Sequence, residues 1–396
     1  PFRQDSDFYY LTGFNEADAL AVFIPGRQQG EYVLFCREFD ATKALWEGAH
    51  AGLEGATSQY GADDAFPIDD LDEILPGMLE NKAKVFYPMG KNGELDHKLL
   101  DWINHIRKQS RTGVTAPGEL VSLEHIVHEM RLFKSAEEIK LMRRAAEISA
   151  QAHVRAMQYC QPGVHEFEVE AELIHHFMRS GLRAVAYPSI VAGGNNACVL
   201  HYTENADKLR KGDLLLIDAG AECDHYAADI TRTFPVSGKF SEPQRLLYQL
   251  VLDAQEAALA EIAPGIAWNK AHEASVEVLT KGLVELGLLK GRVKKLIKDE
   301  KYKQFYMHRI GHWLGMDVHD VGDYKIKDEW RLLEPGMVLT VEPGLYVAAD
   351  CETVDKQWRG IGIRIEDDVL VTADGYEVLT AAVPKTIEAI ESVMRS

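Results

Sequence analysis

The stretch DLLLIDAGAECDHYAADITRTF, from Asp213 to Phe234, decides how the fold is interpreted. Two acids in it, Asp218 and Asp229, each follow apolar or small residues. Asp218 ends the apolar run 214–217, where a buried strand would ordinarily continue with Val or Ile. An unpaired buried carboxylate costs several kcal/mol. The pattern therefore predicts either a strand end that reaches solvent or a carboxylate that has a cation beside it.

Composition predicts a soluble protein of two domains. The chain has 396 residues, of which 46% are hydrophobic, and a formal net charge of −19. No apolar run approaches the roughly 18 residues that span a bilayer, so we expect no membrane partner. We also expect no nucleic-acid partner, because binding to phosphates favours clustered Lys and Arg.

The cysteine pattern predicts free thiols and a cytoplasmic location. The five cysteines are odd in number and form no C-x-x-C pair, which is typical of a reducing compartment. The first residues contain no signal-peptide pattern, and they lack an initiator Met, so the chain is expected to begin inside a longer one. The cysteines are Cys36, Cys160, Cys198, Cys223 and Cys351.

Hydrophobic periodicity divides the chain near residue 130. Residues 1–130 alternate short strand-like runs with amphipathic segments, which predicts a small α/β domain. A long helix follows, with Ser135 and Glu138 as a capping box and a Gln-Pro-Gly stop at 161–163. Residues 131–396 mix helices and strands without steady βαβ alternation, which favours an α+β domain. Its strand-like runs are 213–218, 226–236, 337–347 and 360–372.

Three further segments place ionisable residues where a core would exclude them: HRIGHWLGMDVHDVG, MVLTVEPGLYV and GIGIRIEDDVLV. Taken singly, Glu342 or Glu366 is more simply a strand-end acid, and His312 is more simply a core histidine with its hydrogen bonds satisfied. Four carboxylates and one histidine together form an oxygen-rich set that suits Mn²⁺, Mg²⁺ or Fe²⁺. Such a charge cluster predicts two divalent cations.

The ordered set of these motifs resembles the dinuclear metallopeptidases of the pita-bread fold, a clan that includes methionine aminopeptidase, prolidase and aminopeptidase P. The similarity is greatest to bacterial aminopeptidase P (Xaa-Pro aminopeptidase), through PFRQDSDFYYLTGFNE, TAPGELVSLEHIVHEMRLFKS, LHYTEN and GDLLLIDAGAECDHYAADITRTFPVSGKF. It covers essentially the whole chain. The resemblance implies an α+β pita-bread catalytic domain at 131–396 behind an N-terminal α/β domain at 1–130. That N-terminal domain is expected to lack its first strand and helix.

The resemblance assigns five metal ligands and two metal ions per chain, expected to be Mn²⁺. Asp218 would bind one metal, Asp229 and Glu366 would bridge both, and His312 and Glu342 would complete the second. Two such cations share a bridging water and supply hydroxide as the nucleophile that attacks the scissile carbonyl. Glu342 would be the general base that passes the proton toward the leaving amine.

The resemblance also assigns contacts with the substrate. His201 and His319 would bind the substrate carbonyl or the tetrahedral intermediate. His308 and Arg364 match positions that are associated with the proline side of the pocket and with holding the residues of the site in place. Weaker assignments as substrate-binding residues are Tyr346 and Trp46.

The expected reaction is removal of the N-terminal residue from peptides with proline at position 2. The N-terminal α/β domain favours aminopeptidase P or prolidase over methionine aminopeptidase. Two alternatives remain: a prolidase, which cleaves only Xaa-Pro dipeptides, and a non-catalytic peptide-binding relative. The resemblance further implies a homo-oligomer, either a dimer or a tetramer.

Overall fold

The computed structural model describes residues 2–395, and the chain divides into two compact units, Pro1–His128 and Glu129–Ser396. All five cysteines are unpaired, as the sequence predicts. Among the described residues, no helix has both the length and the apolar character that a membrane crossing requires.

The N-terminal unit has two small sheets covered by helices. Strands β1 and β2 are antiparallel and β2 and β3 are parallel, while β4 and β5 form a separate parallel pair. Val33 and Phe35 of β2 lie in a core with Leu75, Trp102 and Ile106. The helices are α1 (Ser6–Thr12), α2 (Ala41–Glu47), α3 (Gly52–Ser58), α4 (Leu71–Leu79) and α5 (Gly93–Lys108), and α6 (Glu124–Leu132) contains the boundary between the two units. The strands are β1 (Leu20–Phe23), β2 (Tyr32–Cys36), β3 (Asp64–Pro67), β4 (Lys84–Tyr87) and β5 (Glu119–Ser122).

Long helices form the outer layer of the C-terminal unit. The predicted capping box at Ser135 and Glu138 is present and starts the first of them. The first two helices pack on each other, and so do the third and fourth. They are α7 (Ala136–Tyr159), α8 (Glu166–Arg179), α9 (Glu242–Leu259) and α10 (Asn269–Glu285), followed by α11 (Val293–Lys298) and α12 (Ile387–Val393).

Short strands in several small sheets form most of the interior of this unit, although a few of these strands are exposed. Three strands pair in the order β11-β8-β7, three in the order β14-β17-β18, and β15 pairs with β16. A further sheet has the order β10-β9-β6, and β12 and β13 form a hairpin. The strands are β6 (Ala184–Val185), β7 (Ile190–Gly193), β8 (Leu214–Asp218), β9 (Ala221–Cys223), β10 (Tyr226–Ala227), β11 (Thr231–Pro235), β12 (Lys325–Ile326), β13 (Glu329–Trp330), β14 (Val338–Val341), β15 (Gly344–Val347), β16 (Ile361–Arg364), β17 (Asp367–Thr372) and β18 (Gly375–Val378).

Three strand-like runs of the sequence are each divided into two strands, and an acid lies at each break. Asp229 lies between β10 and β11, Glu342 between β14 and β15, and Glu366 between β16 and β17. The runs break because their halves pair with different partners: β14 with β17, but β15 with β16. At each break a side chain leaves the alternation of the strand and becomes free to face a site.

The loop that carries His312 lies directly against β14. Backbone bonds join Thr340 N–H to the His312 carbonyl at 2.9 Å and Glu342 N–H to the Ile310 carbonyl at 2.7 Å. A Cβ on Gly311 would lie 2.0 Å from the Thr340 carbonyl oxygen, so only glycine permits this approach. The contact brings His312 beside the break that holds Glu342.

Candidate active site

A cavity of about 380 Å³ in the C-terminal unit contains nearly all the residues that the sequence marks as functional. All five expected metal ligands line it: Asp218, Asp229, His312, Glu342 and Glu366. Four of the other assigned residues also line it: His201, His308, His319 and Arg364. Residues from five separate parts of the chain thus converge on one volume, which is the geometry that a small-molecule or metal site requires.

Three of the expected ligands form a compact group. Asp229, His312 and Glu366 each offer one ligand atom, and these atoms lie within 4.8 Å of one another. Asp229 and Glu366 are almost fully buried. A carboxylate–imidazole set with this spacing has the donor chemistry and the separation of a divalent metal site.

Asp218 lies at the end of β8, opposite Thr231 of β11 and Ile190 of β7. Its Oδ2 accepts a hydrogen bond from Arg364 Nη2 at 2.6 Å. Burial, followed by the neighbouring Asp229, raises the pKa of Asp218 to about 6, although Arg364 opposes the shift. The apolar run therefore ends in a charged site, where Arg364 pairs with one oxygen of Asp218, and not at the solvent surface.

Tyr187 connects two of the acids and was missed by the sequence analysis. Its hydroxyl makes short contacts with Oδ1 of Asp218 (2.6 Å) and Oδ1 of Asp229 (2.5 Å). A phenol carries one hydrogen, so it can donate to only one of these carboxylates at a time. The carboxylate that receives no hydrogen from Tyr187 would be satisfied by a cation bound between the two acids. No periodicity or spacing in AVAYPSI signals this role.

His312 is oriented by its own backbone neighbour. Its Nδ1 donates to the Trp313 carbonyl at 2.9 Å, and its Nε2 lies 3.4 Å from Asp229 and 3.6 Å from Glu342. Although burial opposes it, Asp229 and Glu342 raise the pKa of His312 to about 9. A hydrogen bond at one ring nitrogen that leaves the other facing carboxylates is the usual arrangement of a metal-binding histidine.

Three of the acids, Asp218, Glu342 and Glu366, hold protons more tightly than an ordinary carboxyl group. Burial, opposed by His312 and Arg364, raises the pKa of Glu342 to about 7. Burial and then Asp229 raise the pKa of Glu366 well above its ordinary value. For Asp229, burial acts upward, but the hydrogen bond and charge of His312 lower its pKa overall. A site whose carboxylates compete for protons in this way fits divalent cations.

A hydrogen-bonded chain supports the wall of the cavity. Arg364 Nη1 donates to the Tyr346 hydroxyl at 3.1 Å, and that hydroxyl lies 2.9 Å from His308 Nε2. His308 Nδ1 lies 2.7 Å from the Arg309 carbonyl. Burial, followed by Arg364, lowers the pKa of His308 to about 3, so the ring is neutral. With Nδ1–H on the carbonyl and Nε2 accepting from Tyr346, both ring nitrogens are engaged.

The remaining assigned residues differ in their surroundings. His319 stacks edge-on against His312 with 4.3 Å between ring centroids, and burial and His312 lower its pKa. His201 is exposed to the cavity from the loop between β7 and β8. Tyr346 is buried in the supporting chain rather than on the cavity lining. Trp46 lies on α2 of the N-terminal unit with 86% exposure, and its role as a substrate contact stays a prediction.

A second set of polar residues holds the acids from behind, and sequence reasoning missed it. Thr231 Oγ1 donates to Glu366 at 2.5 Å, and Asp229 N–H donates to Asp368 at 3.1 Å. Gln255 of α9 donates to the carbonyls of Val341 and Ile365, the residues that precede Glu342 and Glu366. The acidic run 366–368 was a usable signal, because buried strand residues are rarely charged. Thr231 and Gln255 carried no such signal in the sequence.

Two family models match the chain. The model described as Metallopeptidase family M24 matches residues 140–373, and that described as Aminopeptidase P, N-terminal domain matches residues 1–87. The chain is 47% identical over 395 residues to the Xaa-Pro aminopeptidase of Escherichia coli (strain K12). The match covers 100% of this chain and 89% of that relative.

Solved structures match over the same length. The structure of Pseudomonas aeruginosa aminopeptidase PepP has a TM-score of 0.98 and 59% identity, and covers 100% of this chain and 89% of that chain. Zinc-substituted E. coli aminopeptidase P in complex with product has a TM-score of 0.96 and 47% identity, with 100% and 90% covered.

Fold and site together define a metal-dependent peptidase. The predicted α+β pita-bread fold with an N-terminal α/β domain is confirmed by the structural matches, and so is the predicted enzyme class. The chain belongs to metallopeptidase family M24.

Proposed function

We propose that this protein hydrolyses the bond between the first residue and a proline at position 2 of a peptide. Relatives named Xaa-Pro aminopeptidase are 45–47% identical over nearly the whole chain, which supports this choice. The observation that carries the proposal is the compact group of Asp229, His312 and Glu366 in a cavity that also contains His201 and His319.

The five acidic and histidine ligands would hold two divalent cations, which we propose to be Mn²⁺. Asp229 faces Asp218 through Tyr187 and faces His312 through its other oxygen, which supports a role for it at both ions. Glu366 would share that bridging role. Asp218 would bind on one side, and His312 and Glu342 on the other. When bound, the cations supply an activated water as nucleophile and polarise the scissile carbonyl.

The protein side chains then handle protons and developing charge. Glu342 would accept the proton of the attacking water on a carboxylate oxygen and deliver it to the prolyl nitrogen as the bond breaks. His319, whose pKa is lowered by burial, would donate an N–H to the carbonyl oxygen as it gains charge. His201 would donate from the opposite loop.

The environment of His308 favours proline after the scissile bond. Because both of its ring nitrogens are engaged by Arg309 and Tyr346, His308 offers the substrate no free hydrogen-bond donor. A pyrrolidine ring is apolar and proline has no backbone N–H. The part of the cavity lined by His308 therefore meets no polar group of proline that needs a partner. The buried Arg364 and Tyr346 would hold the wall rigid.

Activity on peptides of different length tests the proposal. We expect turnover of an Xaa-Pro-Ala tripeptide as well as an Xaa-Pro dipeptide by the Mn²⁺-loaded protein, with release of the first residue detected by mass spectrometry. Turnover of the dipeptide alone would make the protein a prolidase. Binding of Xaa-Pro peptides without any turnover would favour a non-catalytic relative.

We also propose a cytoplasmic homo-oligomer. Family resemblance supports either a dimer or a tetramer. Sedimentation equilibrium measures the mass of the assembly, which distinguishes a dimer or a tetramer from a single chain of 44.4 kDa.

A further inference from the structure

A buried acid that takes no part in the chemistry above begins α8. Glu166 is fully buried. Its Oε1 accepts from the backbone N–H of Gly193 at 2.7 Å and from Asn196 Nδ2 at 3.0 Å. Its Oε2 accepts from the Tyr202 hydroxyl and from the backbone N–H of Asp207, both at 2.8 Å. Four donors on two oxygens saturate a carboxylate, which can only accept.

All four donors belong to one segment, residues 193–207, which we call the His201 loop. It runs from the end of β7 toward β8 and begins with a 3-10 turn, Gly194–Cys198. Three of its residues, Leu200, His201 and Thr203, line the active-site cavity. Glu166 therefore holds the start, the middle and the end of the loop that brings His201 to the substrate.

The backbone is adapted to this contact. A Cβ on Gly193 would lie 3.2 Å from Glu166 Oε1, so glycine lets the strand end approach the carboxylate closely. The main chain of Glu166 adds a bond, because its N–H donates to the Asp207 carbonyl at 3.0 Å. Asn205, a buried residue with φ 46°, anchors the same loop to β7 by accepting from Val191 N–H at 2.9 Å.

A neutral side chain of the same size would not replace the acid. A carboxylate offers about four acceptor positions, whereas an amide offers one oxygen and two N–H donors. In Glu166→Gln, two of the four donors would face an NH₂ group. Buried donors without partners destabilise the arrangement that contains them, so the loop would shift or loosen.

We propose that Glu166 is a positioning residue: it holds the His201 loop in the conformation in which His201 meets the substrate carbonyl. The role of His201 rests on the proposed function, whereas the anchoring of the loop does not. Misplacing a reacting group by about 1 Å costs roughly 100-fold in rate, so a loosened loop has a kinetic consequence without any change in the metal ligands.

The kinetic test compares Glu166→Gln with Glu172→Gln on the same helix. Glu172 pairs with Arg155 of α7, outside the His201 loop. For Xaa-Pro-Ala we expect kcat to fall about 10- to 100-fold in Glu166→Gln, with KM and bound metal changed by less than about threefold. Glu172→Gln should stay within about twofold of the parent. In a His201→Ala background, Glu166→Gln should lower kcat by less than about threefold, because the two residues act as one unit.

Hydrogen exchange tests the anchoring independently of activity. The amides of residues 193–207 should exchange faster in Glu166→Gln, while those of α10 should not change. Tyr202→Phe makes a milder version of the same test, because it removes one donor and introduces no amide. It should accelerate exchange in the loop and lower kcat a few-fold.

Unchanged exchange of the His201 loop in both variants would overturn the proposal, and so would a full additive loss of kcat in the His201→Ala background. If the parent protein failed to turn over Xaa-Pro-Ala, the proposed function would fall, while hydrogen exchange would still decide whether Glu166 anchors the loop.

Discussion

Asp229 lies between Asp218 and His312, and three contacts fix its position. Tyr187 joins its Oδ1 to Asp218, His312 faces its Oδ2, and its backbone N–H is held by Asp368. The motif pattern predicted Asp229, because an acid after small residues in an apolar context is conspicuous. Tyr187 and Asp368 could not be placed in the same way, since their contacts depend on strand pairing between distant parts of the chain.

Removing either proposed bridging acid should abolish catalysis. We expect Asp229→Ala and Glu366→Ala to lose several kcal/mol of transition-state stabilisation, or about a thousandfold in kcat. Bound metal per chain should also fall, which inductively coupled plasma mass spectrometry measures. Asp374→Asn, in the exposed turn between β17 and β18, is the control and should behave like the parent. Full activity in either bridging variant would refute the two-metal assignment.

The metal-free protein should lose stability as the pH rises. The folded-state pKa of His312, raised to about 9 by Asp229 and Glu342 against the effect of burial, exceeds its ordinary value of 6.5. Its stabilising effect is therefore complete below pH 6.5 and declines as the pH approaches 9. We expect Tm, followed by circular dichroism after chelation, to fall between about pH 6.5 and 8.

Histidine variants separate this effect from other titrations. His312→Gln should reduce the fall in Tm, and the raised pKa values of Glu342 and Glu366 should account for the fall that remains. His319→Gln should keep it, because burial and His312 lower the pKa of His319, so that it titrates below this range. A Tm of the metal-free parent that stays constant between about pH 6.5 and 8 would contradict the raised pKa of His312.

At the scale of secondary-structure elements, the site depends on breaks between consecutive strands, because Asp229, Glu342 and Glu366 lie at these breaks. The apolar runs predicted the positions of the strands, but periodicity could not show that 337–347 and 360–372 are each two strands. The break depends on which partner each half finds, as when β14 pairs with β17 and β15 with β16. α9 then connects the two breaks from outside, because Gln255 donates to both carbonyls that precede the acids.

Gln255→Leu should weaken this connection. It leaves the Val341 and Ile365 carbonyls without the Gln255 donor in a buried place, and each unmade bond costs about 1–3 kcal/mol. We expect the free energy of unfolding in urea to fall by about 3 kcal/mol. Gln249→Leu, an exposed change on the same helix, should alter it by less than about 0.5 kcal/mol. Equal stability of the two variants would show that the bond to α9 does not hold the breaks.

At the scale of the molecule, the motifs predicted the fold and the enzyme class because five expected metal ligands occur in a fixed order along the chain. The spacing of ligands cannot separate an aminopeptidase from a dipeptidase, since both would use the same two-metal chemistry. The two activities differ in whether the substrate continues beyond proline. Residues such as Glu166 also escape prediction, because an acid at a helix start is ordinarily a capping or solvent-facing residue.

Metal titration with simultaneous assay tests the central claim most directly. Chelated protein would be titrated with Mn²⁺ while bound metal per chain and turnover of Xaa-Pro-Ala are measured in the same sample. The two-metal site predicts no activity without metal and full activity as binding reaches two ions per chain. Full activity with one ion per chain, or without metal, would contradict it.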